Sequence, residues 1–164
     1  MSATCLYRTS VAPAWIDYNG HLRDGYYAVV FSSAIDALMD QVGLDADYRQ
    51  RTGGTLYTLE MHLHFLHEVH AADQLEIRER VLELDHKRLL LALDMFCLRQ
   101  SEPVACAEFM LLHVQGGSTP RSAPFPPAVA AALDALRAAA AADPPPAGIP
   151  RSRRLTLRPP QPAS

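Results

Sequence analysis

The stretch "GYYAVVFSSAIDALMDQVG", residues 25 to 43, decides the fold of this chain. Its apolar side chains recur every three or four residues, which is typical of a helix with an unusually wide apolar stripe. Asp24 is a suitable N-cap for this helix, and Gly43 is a suitable residue to end it. The sequence therefore predicts a helix of about 18 residues that is buried on most of its sides.

One strand is predicted before this helix and four after it. The first is "CLYRTSV" (5–11), and the clearest is "TLYTLEMHLHFL" (55–66), in which apolar and polar side chains alternate. Three more are predicted over 74–84, 88–99 and 104–114, joined by hairpin-sized connections, and a short helix is predicted over 130–142. The sequence thus predicts an α+β fold, in which one antiparallel sheet wraps around one long central helix.

The last two of these strands are apolar on both faces for much of their length. A strand of this kind has to be covered on both sides, and the central helix covers only one of them. We therefore expect a second subunit to cover the other face.

Composition predicts one domain over residues 1 to 143 and a Pro/Arg-rich, disordered tail over residues 144 to 164. The net charge is −3, and the tail holds four arginines and no acidic residue, which leaves −7 on the rest of the chain. An acidic body argues against nucleic-acid binding, because affinity for phosphate backbones depends on clustered basic residues. No stretch predicts a membrane span or a signal peptide, and three cysteines without CxxC spacing fit a cytoplasmic location.

Asp17, Asn19 and His21 lie at alternate positions between the first strand and the central helix. In an extended segment this spacing points all three side chains to one side, beside the helix N-terminus. Unpaired N–H groups and the positive end of the helix dipole favour an oxyanion there, and a carboxylate next to an oxyanion site suits a hydrolase. The alternative from spacing alone is that Asp17 and Asn19 only make local hydrogen bonds in a turn.

The segment "DYNGHLRDGYY" (17–27) resembles the D-x-N-x-H signature of the hotdog-fold thioesterases. The resemblance extends over residues 5 to 137 and includes "PRSAPFPPAVAAAL" (120–133). The combination of "WIDYNGHLRDGYY", "LYTLEMHLHFLHE", "DHKRL" and "RSAPFPP" is most similar to the betainyl-CoA thioesterases linked to carnitine breakdown. It implies a hotdog fold and an enzyme that hydrolyses a small acyl-CoA thioester, with betainyl-CoA as the leading substrate.

The resemblance also implies that Asp17, Asn19 and His21 belong to the active site, and it suggests a strand carboxylate, for which Glu60 is the candidate. Thioester hydrolysis needs a nucleophile or an activated water. Asp17 or Glu60 could attack directly, or could activate water together with His21, and the sequence leaves both routes open. Asn19 is expected to orient the water or the base.

Backbone N–H groups near Gly25 and Tyr26 are the expected donors to the carbonyl oxygen as it becomes an oxyanion. Plant acyl-carrier-protein thioesterases follow the motif histidine with Val-Asn-Asn, whereas this chain has Leu22, Arg23 and Asp24. This departure leaves the acyl-group preference open.

Trp15, Tyr26 and Tyr57 are the aromatic residues expected to bind substrate. A trimethylammonium head would gain about 0.5 to 2 kcal/mol from each aromatic face, and core packing is the alternative role for such rings. Lys87 and Arg88, at a hairpin end, are expected to contact the CoA phosphates, and an ordinary solvated turn is the alternative.

Glu60, His62 and His64 are residue types that bind zinc. Their spacing along one strand spreads them over about 13 Å, so we expect no metal, and no cofactor besides the CoA of the substrate. The expected partners are an acyl-CoA and further copies of the chain, as a homodimer or homotetramer. The alternatives to a thioesterase are a hotdog hydratase or dehydratase, which would release no free thiol, and a non-catalytic acyl-CoA-binding module.

Overall fold

The long helix predicted from the sequence is the first helix of the structure, a computed structural model that describes residues 5–116 and 118–142. This helix, α1, covers Asp24–Val42 and packs against one face of an antiparallel sheet. The predicted tail over residues 144 to 164 lies outside the described residues. The remaining elements are, in chain order, β1 Cys5–Ser10, α2 Ala46–Thr52, β2 Thr55–Phe65, β3 Gln74–Leu84, β4 Arg88–Cys97, β5 Pro103–Gln115, β6 Arg121–Ser122 and α3 Pro127–Ala142.

The sheet has the strand order β1-β3-β4-β5-β2, and the two-residue strand β6 pairs with the end of β5. All pairings are antiparallel, which leaves β1 and β2 as the two edges. The face that carries Phe109 packs against α1, where the rings of Phe31 and Phe109 lie 6.2 Å apart. The predicted α+β architecture, one sheet around one long helix, is therefore confirmed.

The two ends of α1 differ slightly from the prediction. The helix begins at Asp24 itself, with Arg23 in the N-cap position, so the predicted cap is the first helical residue. Gly43 ends the helix as expected, with φ of 90°, and its N–H bonds the carbonyl oxygens of Asp40 and Met39. Glycine suits this position because a left-handed backbone is strained for other residues.

Helix α2 was not predicted, because its seven residues show little apolar periodicity. The Asp45 side chain caps it by accepting a hydrogen bond from the Tyr48 backbone N–H at 2.8 Å. Tyr48 is buried, and its hydroxyl lies 3.0 Å from His113 Nε2. This contact with a residue 65 positions away holds the short helix against the sheet.

The face of the sheet opposite to Phe109 is buried within a single chain. Asp94, Glu108 and Met110 on this face are at most 9% exposed, and the Arg78 guanidinium covers the ring of Phe96 at 4.3 Å. The middle of this face is thus already shielded from solvent within one chain, and the expectation that a second subunit covers the face stays a prediction.

Large apolar side chains are exposed on the edge strand β2 instead. A bulge between Thr58 and Glu60 interrupts the predicted alternation, so Leu59 lacks a partner on β5. Beyond the bulge Glu60, His62 and His64 share a face, as predicted. The large apolar side chains that are exposed on β2 are those of Tyr57 (45%), Leu59 (56%), Met61 (40%) and Phe65 (54%).

Among the described residues, none of the helices combines the length and the apolar character that a membrane span requires.

Candidate active site

The motif Asp17 to His21 folds as a tight turn ahead of α1. Asp17 Oδ1 accepts hydrogen bonds from the backbone N–H groups of Asn19 at 2.8 Å and His21 at 3.1 Å. Gly20, with φ of 84°, closes the turn and donates its N–H to the Asp17 carbonyl oxygen. The local turn hydrogen bonds considered as an alternative are thus present, and both go to one carboxylate oxygen.

These hydrogen bonds influence the charge of Asp17. The His21 backbone N–H is the main cause that lowers the pKa of the Asp17 carboxyl below its ordinary value, and the Asn19 N–H adds to it against a partial desolvation. Within the described residues, the second oxygen, Oδ2, accepts no hydrogen bond. Asp17 is therefore an ionised carboxylate with an oxygen available for chemistry at neutral pH.

Backbone pairing brings the motif against the loop that follows β2. His21 and His70 are partners in an isolated antiparallel bridge, and the Leu22 N–H donates to the Val69 carbonyl oxygen at 2.7 Å. The Arg23 N–H donates to the carbonyl oxygen of Trp15. The start of α1, the motif and residues 65 to 70 consequently form one cluster.

A pocket of about 490 Å³ opens in this cluster. It holds two of the predicted catalytic residues, Asp17 and His21, beside the first turn of α1. Its walls combine carboxylates, histidines and aromatic rings, and they are formed by Asp17, His21, Leu22, Arg23, Asp24, Tyr27, Phe65, Leu66, His67 and Glu68.

Glu68 is a candidate site residue that sequence reasoning missed. Its Oε2 lies 3.2 Å from Nε2 of His21, so the carboxylate can orient the imidazole ring. The sequence places the two residues 47 positions apart, and only the pairing of Leu22 with Val69 brings them together. The alternation in "HEVH" (67–70) indicated that Glu68 and His70 share a side, although not what they face.

Glu60 is not brought to Asp17 within a single chain. It lies five residues before the pocket residue Phe65, which is about 17 Å along an extended strand. Its Oε1 contacts Nε2 of His62, the residue expected to support it, at 3.1 Å. Asn19 is exposed and does not line the pocket.

The N–H groups of Gly25 and Tyr26, the expected oxyanion donors, both have hydrogen-bond partners in this structure. The Gly25 N–H donates to Asp24 Oδ1 at 2.8 Å, and the Tyr26 N–H donates to the Arg23 carbonyl oxygen at 2.9 Å. Neither is directed at the pocket while these hydrogen bonds persist.

Tyr27 offers a different donor. Burial is the main cause that raises its pKa to about 12, with smaller contributions from the charges of Glu68 and Asp73. Its phenol is therefore neutral and carries a proton to donate. Its ring meets Phe65 edge-on at 5.1 Å, so both rings form one wall of the pocket.

The predicted substrate-binding residues lie at two ends of the sheet. Trp15 stacks on Tyr26, with ring centroids 5.4 Å apart, next to the start of α1. Lys87 and Arg88 lie at the other end: Arg88 pairs with Leu112 on β5, whereas Phe65 pairs with Ala105, about 23 Å away along β5.

The cations at that far end already have partners. Lys87 Nζ bonds Ser122 Oγ at 3.2 Å, and Arg88 pairs with Asp85 at 2.7 Å. Tyr57 lies toward the same end, since it pairs with Leu112.

Residues 11–133 match the model of the thioesterase-like superfamily. The chain belongs to this superfamily. The matched range contains the motif, the pocket and the whole sheet except β1. Because it covers most of the chain, membership applies to the domain as a whole rather than to one motif.

Relatives with assigned names agree with this membership. Betainyl-CoA thioesterase of Pseudomonas aeruginosa is 47% identical over 145 residues, which cover 88% of this chain and 91% of that protein. An Agrobacterium fabrum protein, L-carnitine dehydrogenase/betainyl-CoA thioesterase, is 42% identical over 133 residues, 81% of this chain and 27% of that protein.

A solved structure agrees as well. A Pseudomonas putida KT2440 protein, studied as a candidate thioesterase, superposes with a TM-score of 0.80 at 38% identity, over 96% of this chain and 99% of that one. The hotdog thioesterase fold predicted from the sequence is confirmed.

Proposed function

We propose that this thioesterase hydrolyses betainyl-CoA to betaine and free CoA, a step in carnitine breakdown. The observation that carries the proposal is an ionised Asp17 beside His21 in a pocket at the start of a buried helix. The names of the two relatives support the substrate, and the second of them joins a thioesterase to a carnitine dehydrogenase in one chain.

The charge of the pocket supports a cationic acyl group. Three carboxylates line it, those of Asp17, Asp24 and Glu68, against the single guanidinium of Arg23. Such an excess of negative charge attracts a trimethylammonium group. The Tyr27 and Phe65 rings add apolar and aromatic surface, on which each cation–π contact contributes about 0.5 to 2 kcal/mol.

Asp17 performs the chemistry in one of two ways. Either its free oxygen attacks the thioester carbonyl carbon, so that a mixed anhydride forms and water then hydrolyses it, or it takes a proton from the attacking water. In both routes the C–S bond breaks and CoA leaves as a thiolate, which His21 protonates. Borohydride reduces an acyl-aspartyl anhydride and leaves a carboxylate intact, so trapping during turnover distinguishes the routes.

Two neighbours support these steps. Glu68 holds the His21 ring through Nε2, and Tyr27 donates its hydroxyl proton in a hydrogen bond to the carbonyl oxygen as negative charge develops on it. We propose that hydrolysis needs no resident metal or cofactor, so that prior treatment with a chelator leaves the rate unchanged.

We further propose that the enzyme is a homodimer formed by the edge strand β2. This strand presents unpaired backbone groups together with exposed apolar side chains. Antiparallel pairing of two β2 strands around their midpoint would set the first half of one strand beside the second half of the other. In this pairing the partner's Tyr57 would lie beside Leu63, near the Phe65 that borders the pocket, whereas the partner's Glu60 would lie beside Glu60 at the midpoint of the strands. A tetramer would add a second interface. We assign the enzyme to the cytoplasm, where its three free cysteines remain reduced.

The function is tested by free-thiol release from betainyl-CoA and from 3,3-dimethylbutyryl-CoA, a neutral substrate of the same shape. We expect release from both and a kcat/KM at least about tenfold higher for the cation, because each cation–π contact favours it. A hydratase or a binding module would release no thiol from either substrate, and this result would reject the proposal. Equal kcat/KM values would reject the role of the cation.

The dimer is tested by sedimentation of Leu59→Lys against Leu98→Lys. Both leucines are 56% exposed, but only Leu59 lies on β2. Near the twofold axis of the proposed dimer, the lysine at position 59 of one subunit would lie close to the same lysine of the other, and the two positive charges would repel. We therefore expect this variant alone to become monomeric and less active. A monomeric wild-type enzyme, or equal behaviour of the two variants, would contradict the proposed interface.

A further inference from the structure

Three side chains at the edge of the pocket are zinc-binding types that the sequence did not group together. They are His21, Glu68 and His70, and one donor atom of each lies within 4.8 Å of the others. Two imidazoles and one carboxylate form a donor set that zinc accepts in proteins, with a fourth position left open.

The backbone fixes these three residues relative to one another. His21 and His70 face each other across the isolated bridge, with the Leu22–Val69 hydrogen bond beside it. Their rings lie 5.0 Å apart. Glu68 precedes His70 by two residues, so an extended segment turns both side chains to the same side.

The orientation of the His70 ring favours a metal ligand. Its Nδ1 lies 3.2 Å from the Gly20 carbonyl oxygen, and since a carbonyl only accepts, Nδ1 carries the proton. The lone pair is then on Nε2. A histidine that ligates a metal usually donates its other N–H to a carbonyl or a carboxylate in this way.

The distance between the other two donors also fits. His21 Nε2 and Glu68 Oε2 are 3.2 Å apart, and tetrahedral zinc ligands at ordinary bond lengths lie about 3.3 Å from each other. Glu68 and His70 are exposed, so an ion reaches them from solvent. Both are surface side chains, so they have room to adjust around an ion.

We propose that His21, Glu68 and His70 bind a zinc ion, and that this ion inhibits the thioesterase. The inhibition rests on the proposed function, whereas the binding does not. Zinc would displace the proton from Nε2 of His21, so that this nitrogen can no longer give a proton to the leaving thiolate. It would also neutralise the net negative charge that attracts a cationic acyl group.

Binding is measured first, on the full chain freed of metal, by competition for zinc with a chromophoric chelator. We expect a single zinc ion per chain, and an affinity at least about tenfold weaker for His70→Ala, since even the loss of a neighbour of a ligand costs that much. His86→Ala is the matched control, because this exposed histidine lies in the β3–β4 connection. Glu68→Gln, which keeps the shape of the side chain, replaces His70→Ala if the latter does not fold.

Inhibition is then measured as the ratio of rates with and without zinc for each protein, so that a change in basal rate cancels. We expect zinc to inhibit the wild type and His86→Ala alike, and His70→Ala to need about tenfold more zinc. Equal zinc affinity in all three proteins would overturn the site, and zinc that binds without inhibiting, or that activates, would overturn its role. A wild type that binds zinc but hydrolyses no thioester would reject the proposed function and leave the site standing.

Discussion

The two ends of α1 are built in opposite ways. At the C-terminal end, Gly43 adopts a left-handed backbone conformation and donates its N–H to carbonyl oxygens of the last helical turn. The next residue, Leu44, is fully buried. At the N-terminal end, within the described residues, Arg23 makes no capping hydrogen bond with its side chain, and the first turn borders a polar pocket.

The difference separates stability from function along one helix. The C-terminal end, called the closed end here, satisfies carbonyl groups of its own last turn and places Leu44 in the core. The N-terminal end, called the open end here, gathers an ionised carboxylate, an imidazole and a phenol around the cavity that is the proposed active site. Changes at the open end should therefore cost activity, and changes at the closed end should cost stability.

The largest effect is expected for His21→Gln at the open end. Loss of a general acid or base lowers kcat by about 10² to 10⁴, while the half-exposed ring contributes little to folding. Thiol release gives kcat, and thermal unfolding gives the stability. His86→Gln is the control, and wild-type kcat in His21→Gln would remove the imidazole from the mechanism.

Tyr27→Phe tests the donor that replaces the expected backbone groups. Removal of one oxyanion donor lowers kcat by about a hundredfold, and the ring that packs on Phe65 is retained. The matched control is Tyr48→Phe, which deletes a hydroxyl bonded to His113 far from the pocket. It should lose stability and keep kcat. Equal kcat values for the two variants would contradict the role of Tyr27.

Gly43→Ala tests the closed end. Among the described residues an added Cβ would meet only Val129 Cγ2, at an ordinary 4.0 Å, so the cost comes from the left-handed backbone and amounts to about 1 to 2 kcal/mol. Urea unfolding should show this loss without a change in kcat. Gly25→Ala at the open end should not be destabilised, because an added Cβ would have no other described atom within 4 Å besides its chain neighbours and the helix backbone. The opposite order of stabilities would contradict the assignment of stability to the C-terminal end.

The smallest effect is expected in the sheet, away from both ends of α1. Burial alone would raise the pKa of Glu76, but hydrogen bonds from Arg78 and Arg8 outweigh it and hold the pKa below 4.5. This contribution to the free energy of unfolding is present above pH 4.5 and is lost as the pH falls through the folded-state pKa.

Glu76→Gln should therefore cost up to about 1 kcal/mol at neutral pH, because the Arg8 side chain is largely exposed. The difference from wild type should shrink in acid, as measured by urea unfolding across pH. The exposed Glu102→Gln serves as the control. A difference that grows in acid would have the wrong sign.

The sequence predicted what local signals determine. The apolar stripe and Gly43 located α1 to within one residue at its ends, and alternation with turn residues located β3 at Gln74–Leu84. The motif residues Asp17 and His21 were found because their spacing and their place before a helix are local as well.

Features that depend on distant contacts were not predictable. Helix α2 is held by Tyr48 meeting His113, and Glu68 reaches His21 only through the Leu22–Val69 pairing. A bulge on β2 leaves Leu59 without a partner on β5, which alternation alone does not reveal. The partners of the Gly25 and Tyr26 N–H groups, the Asp24 side chain and the Arg23 carbonyl oxygen, were not predicted either.

The most direct test of the central claim is the rate of thiol release from betainyl-CoA by Asp17→Asn, compared with Asp45→Asn. Both aspartates accept backbone hydrogen bonds through Oδ1, and asparagine can still accept them, so both folds should persist. We expect the rate to fall about a thousandfold or more for Asp17→Asn and to stay at the wild-type value for Asp45→Asn. A folded Asp17→Asn enzyme that hydrolyses betainyl-CoA at the wild-type rate would contradict a catalytic carboxylate at the start of α1.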